Sequence, residues 1–205
     1  MFTGLIREIA TVKNYQNNIL TIQSKHNSKI GDSIAINGVC LTVIKVNNDG
    51  FDLELADETR SIIDESKISG RVHIEPAMQL DDRFEGHIVQ GHVDCVGVVS
   101  TITNRENGTD FIIKVEPKYI AYIIPKGSIT IDGVSLTIND VYDDSFRLTI
   151  IPHTLRETLI GEYRIGSKIN IETDLFARYI DHILRNRGQK RSMSWDDVDN
   201  MQMSY

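Results

Sequence analysis

The chain has 205 residues, 40% of them hydrophobic and 25% charged, which is ordinary for a globular protein and long enough for two small domains. Its net charge of −7 argues against a surface that tracks nucleic-acid phosphates, and no apolar run approaches the roughly 18 residues of a membrane helix. Cys40 and Cys95 fit neither a disulfide framework nor a CxxC metal spacing, and the amino terminus lacks a signal peptide's charged and apolar regions, so a reduced, cytoplasmic protein is expected.

In chain order, alternation of apolar and polar residues predicts strands over 5–13 and 18–24. A hairpin follows: Ile34 and Ile36 alternate with Ser33 and Ala35, Asn37-Gly38 turns the chain, and Val39, Leu41 and Val43 alternate with Cys40 and Thr42. Asn-Gly between alternating runs favours a two-residue turn, because both turn residues must tolerate positive φ. Strands over 50–56 and 71–75 and a short helical piece over 59–66 complete the first set. The second has strands over 92–101, 110–116, 145–151 and 168–172, a helical piece over 118–123, and a hairpin turning at Asp132-Gly133. Many short strands separated by turn signals indicate a small closed barrel.

The two sets are copies. Over 33–46 against 128–141, eight of fourteen aligned positions are identical. Two copies are too few for a solenoid array, so the chain divides into barrels over 1–87 and 88–175. The offset grows from 87 at the start of the repeat to 95 at the hairpin, which places eight extra residues in the second copy around Asn104 to Thr109. Leu175, Phe176, Tyr179, Ile180, Ile183 and Leu184 then recur at helical spacing over 176–187, a stripe that serves equally as a fold-back onto its own domain or as an oligomer seam. The polar tail 188–205, with Trp195, is expected to be disordered.

Side chains alternate on a strand, so Cys40 and Thr42 share the face opposite Leu41 and Val43, as Ser135 and Thr137 do in the second copy. A half-buried strand's wet face explains one such pair; its repetition favours a small hydrogen-bonding surface for an aromatic heterocycle. A metal site at His87 and His92 is disfavoured, because five residues put their imidazoles on opposite faces of a regular strand. Glu75 and Glu172 end repeated strands and read as exposed. The copies differ at Leu5/His92, Cys40/Ser135, Glu58/His153 and Ala77/Asp174.

Along 1–185 these residues resemble the riboflavin synthase family. The resemblance is carried by Met1-Phe-Thr-Gly4, Asn37-Gly-Val-Cys-Leu-Thr42, Gly86-His-Ile-Val-Gln-Gly-His-Val93, Pro125-Lys-Gly-Ser128, Ile131-Asp-Gly-Val-Ser-Leu-Thr137, Ile151-Pro-His-Thr154 and Ile171-Glu-Thr-Asp174. It implies a mainly β fold, two tandem six-stranded antiparallel β-barrels plus a C-terminal α-helix. It also implies a transferase that dismutates two 6,7-dimethyl-8-ribityllumazine molecules, without metal or other cofactor, to riboflavin and 5-amino-6-(ribitylamino)uracil. A homotrimer joined by the terminal helices, with active sites between subunits, is implied too, and association with lumazine synthase is allowed. By the same resemblance Phe2, Gly4, Leu5, Ile6, Cys40, Leu41, Thr42, Glu54, Leu55, Ala56, Asp57, Glu58 and Thr59 line the first barrel's pocket. Gly91, His92, Val93, Lys126, Ser135, Leu136, Thr137, Thr149, Ile150, Ile151, Pro152, His153 and Thr154 line the second's. His92, Ser135 and Asp174 are the candidates for proton removal or for an activated hydroxyl or water, with Cys40 in the partner site. Glu85 and Arg60 depart from the family's usual glycine and leucine. The rival readings are a non-catalytic lumazine-binding antenna protein and a ligand-free scaffold barrel.

Overall fold

The computed structural model describes residues 1–65 and 68–187; the expectation for 188–205 lies outside the described residues. Two closed six-stranded antiparallel barrels follow one another, and a helix leaves the second. The first is built from β1 (Glu8–Gln16), β2 (Ile19–Gln23), β3 (Ser33–Ile36), β4 (Val39–Asn47), β5 (Gly50–Glu54) and β6 (Arg71–Pro76), in the order β1-β2-β5-β4-β3-β6. The second is built from β7 (Cys95–Arg105), β8 (Gly108–Lys114), β9 (Ser128–Ile131), β10 (Val134–Val141), β11 (Ser145–Ile150) and β12 (Lys168–Thr173), in the equivalent order. Each has its own core, with Phe51 and Phe146 fully buried at equivalent positions.

The strands fall where alternation places them, with ends that shift by a few residues and two displaced starts that matter for the site. Residues 5–7 and 92–94 are loop, not strand, because these segments leave their own barrels to meet the other one. The helical pieces are α1 (Asp57–Ile62) and a 3-10 turn over Pro117–Tyr122. The eight extra residues are not one loop: β7 and β8 have 11 and 7 residues where β1 and β2 have 9 and 5. The rest extend the following connection, which holds that 3-10 turn.

The barrels meet at their hairpin turns. Asn37 and Gly38 have φ of 45° and 80°, Asp132 and Gly133 of 43° and 85°, so both turns have the left-handed residues the dipeptides called for. The glycines lie back to back: a Cβ on Gly38 would stand 2.7 Å from the Gly133 nitrogen. Around them the hydrogen bonds cross. Asn37 Oδ1 accepts from the His73 N–H at 2.8 Å, and Asp132 Oδ1 accepts from the Asn170 N–H at 2.7 Å. Asn170 Nδ2 donates to the Asn37 carbonyl at 3.0 Å, while His73 Nδ1 lies 2.8 Å from the Asp132 carbonyl. The Leu159 N–H donates to His73 Nε2 at 2.7 Å, which fixes the neutral tautomer with its proton on Nδ1. His73 is only 1% exposed, so water cannot replace these partners.

After β11 come α2 (Pro152–Glu157), a 3-10 turn over Leu159–Glu162, β12 and then α3 (Leu175–Asn186). Only Ala177 of α3 is buried; Phe176, Tyr179, Ile180, Ile183 and Leu184 are each close to 60% exposed. The stripe faces outward, which removes the fold-back reading.

The back-to-back turns give a test with a built-in reference. Gly38→Ala meets both a strained φ and the backbone of Gly133, whereas Gly31→Ala, at φ 92°, has nothing within 4 Å of its new Cβ. Urea unfolding should show a loss of about 1 kcal/mol for Gly31→Ala and about 3 kcal/mol or more for Gly38→Ala. Equal losses would mean that the turns do not bear on each other.

Candidate active site

Residues ahead of each barrel cross to the other. The Ser135 N–H donates to the Gly4 carbonyl and the Cys40 N–H to the Gly91 carbonyl, both at 2.8 Å. Phe2 and Val89 form an antiparallel bridge between the two crossing loops. A Cβ on Gly4 would lie 2.5 Å from Ser135 Cβ, and one on Gly91 2.6 Å from Cys40 Cβ, so glycine recurs because the loop backbone lies directly on the neighbouring strand. The grouping by barrel is thereby corrected: Gly4, Leu5 and Ile6 belong with Ser135, and Gly91, His92 and Val93 with Cys40.

A carboxylate holds each crossing loop. Glu75 accepts from the Thr3 N–H and hydroxyl and the Gly4 N–H at 2.7–3.0 Å. Glu172 accepts from the N–H groups of Gln90, Gly91 and His92 at 2.7–3.1 Å. Both are 3% exposed, not the solvated strand ends expected from sequence, because their partners are backbone amides that no strand pattern reveals.

On the Cys40 side lies a cleft of about 430 Å³, lined by Cys40, Glu58, Thr59, Gly91, His92 and Arg178 among others. Cys40 is half-buried and Thr42 exposed, as alternation predicts. On the other side Ser135 Oγ is 2.7 Å from His87 Nδ1, and Thr130 Oγ1 is 3.3 Å from His87 Nε2. Thr137 is exposed on the same face, and Lys126, at φ 66°, donates its N–H to the Ile138 carbonyl beside it. Corresponding strand faces of the two repeats therefore carry unlike groups: a thiol beside the cleft on β4, and a hydroxyl against an imidazole on β10.

The lumazine binding domain family model matches the chain over residues 3–77 and again over 90–174. A riboflavin synthase of Actinobacillus pleuropneumoniae is 44% identical over 193 residues, with 90% of each chain covered. That of Bacillus subtilis is 37% identical over 202 residues, with 94% of each covered. The chain belongs to the riboflavin synthase family, and it is an enzyme of transferase type. Solved structures of LumP share the fold. The complex with 6,7-dimethyl-8-(1'-D-ribityl) lumazine has a TM-score of 0.72 at 22% identity, covering 85% of this chain and 99% of that one. The complex with riboflavin reaches 0.75 at 22% identity, covering 85% and 100%.

Not every expected residue faces a cleft. Leu41, Leu55 and Ile150 are core side chains, and Phe2 is fully buried beside Val89 and Ala35. From these positions only the backbone could meet a ligand on the outer face. Thr149 is exposed but engaged, donating to Asp110 Oδ1 at 2.8 Å and accepting from Arg147 Nη1 at 2.9 Å. Glu54 pairs with Thr42 across the ladder. Ala56 precedes α1, which carries Asp57, Glu58 and Thr59. Ile151, Pro152, His153 and Thr154 open α2 at the corresponding place. Leu5 and Ile6 are half-buried in the crossing loop, as Leu136 is on β10. Asp174 caps α3, its Oδ1 accepting from the Phe176 N–H at 2.7 Å.

In the sequence His87 reads as one half of a disfavoured metal pair, and a solitary histidine as a general acid/base or, more commonly, a structural residue. Its place against Ser135 depends on a loop that the repeat does not contain. Burial pushes its imidazole below the ordinary histidine value, with the charge of Asp174 pulling the other way. The ring is neutral at physiological pH and can accept a hydroxyl proton. Burial likewise pushes the Cys40 thiol up, so it stands as a neutral thiol and not an activated thiolate.

Burial also pushes the Glu172 carboxyl up to about 7, against the amides of Gln90 and Gly91 and the charge of Arg178. Folding therefore favours its protonated form. That contribution is fully present below about 4.5 and lost as pH rises through about 7. Urea midpoints measured from pH 5 to 8.5 should fall with a total on the order of 2–3 kcal/mol from this group. Glu172→Gln should flatten the slope while lowering the plateau, since its amide NH2 opposes the loop N–H groups. An unchanged slope in that variant would assign the pH dependence elsewhere.

Proposed function

We propose that the protein dismutates two 6,7-dimethyl-8-ribityllumazine molecules, giving riboflavin and 5-amino-6-(ribitylamino)uracil. The observation that carries this reading is the pair of corresponding but chemically unlike strand faces, one with Ser135 against His87, whose pKa burial lowers, the other with a neutral Cys40 beside a cleft. Identical substrates must be treated unequally, since one gives up a four-carbon unit and the other receives it. The atoms of two lumazines equal those of the two products, so the stoichiometry consumes no external oxidant or reductant.

In this reading each cleft holds one lumazine against its outward strand face. Backbone groups of the crossing loop pair with the heterocycle's polar edge, and Thr42 or Thr137 reaches ribityl hydroxyls. His87 accepts the Ser135 proton as the hydroxyl, or a water it orients, meets the ring of the lumazine on that side. Asp174 favours the imidazolium that results. His92, exposed on the crossing loop of the other side, is the second candidate for removing a proton from an activated 7-methyl group. Cys40 lines that cleft. Holding both rings in a near-attack arrangement supplies much of the acceleration through orientation.

Self-association through the exposed apolar stripe of α3 belongs to the same proposal, because the two clefts of one chain must be brought to face clefts of other copies. Ile180→Glu with Ile183→Glu should shift sedimentation to the monomer and abolish flavin formation, while the barrels stay folded by circular dichroism. A variant that stays active as a monomer would remove the inter-subunit site.

The fold likeness to LumP raises a second reading, a binding protein without chemistry. Retention of Ser135, Thr137, Lys126 and the His87 contact in the second barrel supports the enzyme instead. Incubating the protein with the lumazine alone tests both: one flavin per two lumazines consumed is expected, and altered lumazine emission with no flavin would favour the binding protein. Ser135→Ala and His87→Ala should each lower kcat by about 10²–10⁴. The acidic limb of kcat should lie below the ordinary histidine value of 6.5. Full activity in Ser135→Ala and Cys40→Ser would remove the idea of an essential nucleophile.

A further inference from the structure

Arg178 reaches from α3 back into the crossing loop on the Cys40 side. Nη1 donates to Asp94 Oδ1 at 2.9 Å and Nη2 to Gln90 Oε1 at 3.0 Å, with Glu172 Oε1 at 3.9 Å from Nη2. Asp94 is itself fixed, its Oδ2 accepting from the Thr173 N–H and hydroxyl at 2.7 Å each. Since Glu172 holds the Gln90, Gly91 and His92 amides, the guanidinium closes a ring of bonds through α3, β12 and the loop. Its Nε is buried with no acceptor among the described residues, so this geometry is kept at the expense of an orphaned donor.

The repeat shows that barrel closure does not require such a ring. At the offset of 97 that aligns the last strands, Asp81 stands where the second copy has Arg178. Glu75 holds its loop through the Thr3 and Gly4 groups, with the Leu5 amide also favouring its charge, and no guanidinium is bonded to it among the described residues. The cation is an addition on one side, and that side is the cleft that Arg178 also lines.

We propose that Arg178 is a positioning residue, which by clamping α3 to residues 90–94 sets how Gly91 and His92 are presented to a lumazine in the Cys40 cleft. Occupancy of that cleft is then coupled to the placement of α3. The proposal rests on the function argued above and names the residue that makes its two crossing loops mechanically unequal. Charged and titratable groups from each neighbouring element surround the clamp: Asp94 ahead of β7, Glu172 on β12, Cys40 on β4, Glu58 on α1, His92 in the loop, and Tyr119 and Tyr122 on the 3-10 turn packed against α3. Arg178 favours the Glu172 charge, while Asp94 opposes it. Without the guanidinium, Glu172 takes up its proton at higher pH, and a neutral carboxyl accepts the three amides less well.

The test uses the full chain with Arg178→Met and Arg178→Lys, and reads amide hydrogen exchange together with binding of 6,7-dimethyl-8-ribityllumazine by fluorescence from pH 6 to 9. In Arg178→Met, exchange at Gln90, Gly91 and His92 should accelerate about tenfold or more while the Thr3 and Gly4 amides stay unchanged. Lumazine affinity in the Cys40 cleft should weaken about tenfold, with its acid limb moved up by about one pH unit. Arg178→Lys, which keeps the charge and the fold but loses the two-pronged contact, should restore the limb and leave exchange intermediate. Equal exchange at the two loops, whether both unchanged or both faster, would overturn the clamp. Absence of both lumazine binding and flavin formation in the unsubstituted protein would instead overturn the functional reading, and the contrast between the loops would still decide the clamp.

Discussion

The structure depends first on two glycine-containing turns lying back to back. Backbone approaches backbone there with no room for a methyl group, and the partly solvated ends of two hairpins become a buried seam. Buried peptide groups need partners, and the surrounding side chains supply them reciprocally: Asn37 to the His73 N–H, Asp132 to the Asn170 N–H, and the His73 and Asn170 side chains across to the other barrel's turn. Removing one such partner would strand another buried polar group. The barrels are consequently fixed in one relative orientation by directional bonds, which apolar contact alone would not achieve.

From that orientation the site follows. With the turns locked, the segment ahead of each barrel is carried onto the other barrel's outward strand face. There Gly4 meets Ser135 and Gly91 meets Cys40. Buried carboxyls hold these segments by accepting consecutive amides, hydrogen bonds that only partly offset the desolvation of Glu75 and Glu172. Pseudo-symmetry places the two crossing loops alike on their neighbouring strands. What the copies do not share makes them unlike in chemistry: His87 comes from the connection between the copies, Asp174 stands where the first copy has Ala77, and Arg178 comes from beyond the second.

Much of this was legible in the residues. Asn-Gly and Asp-Gly fixed the hairpins because so few residues accept left-handed φ in succession, and alternation sorted Cys40, Thr42, Ser135 and Thr137 onto outward faces. Glu75, Glu172 and His87 are illegible in the strand pattern for a common reason: their partners are separated from them by 71 to 82 residues or lie across the barrel seam. Strand periodicity reports which way a side chain points, not what has been brought to meet it. The α3 stripe was legible as amphipathic, yet its direction relative to the barrel was not, since a helix's moment says nothing of which side the helix is approached from.

By itself, the sequence determined the duplication, the barrel class, the turns and the family to which the chain belongs, because these reside in local φ preferences and in the pattern of residues along each copy. Only the tertiary structure decided that the loops cross between barrels, that His87 serves Ser135, and that α3 is tied to the Cys40 cleft through Arg178. Those facts come from contacts between distant segments, and they are set by the one geometry in which two buried turns can satisfy each other's backbone.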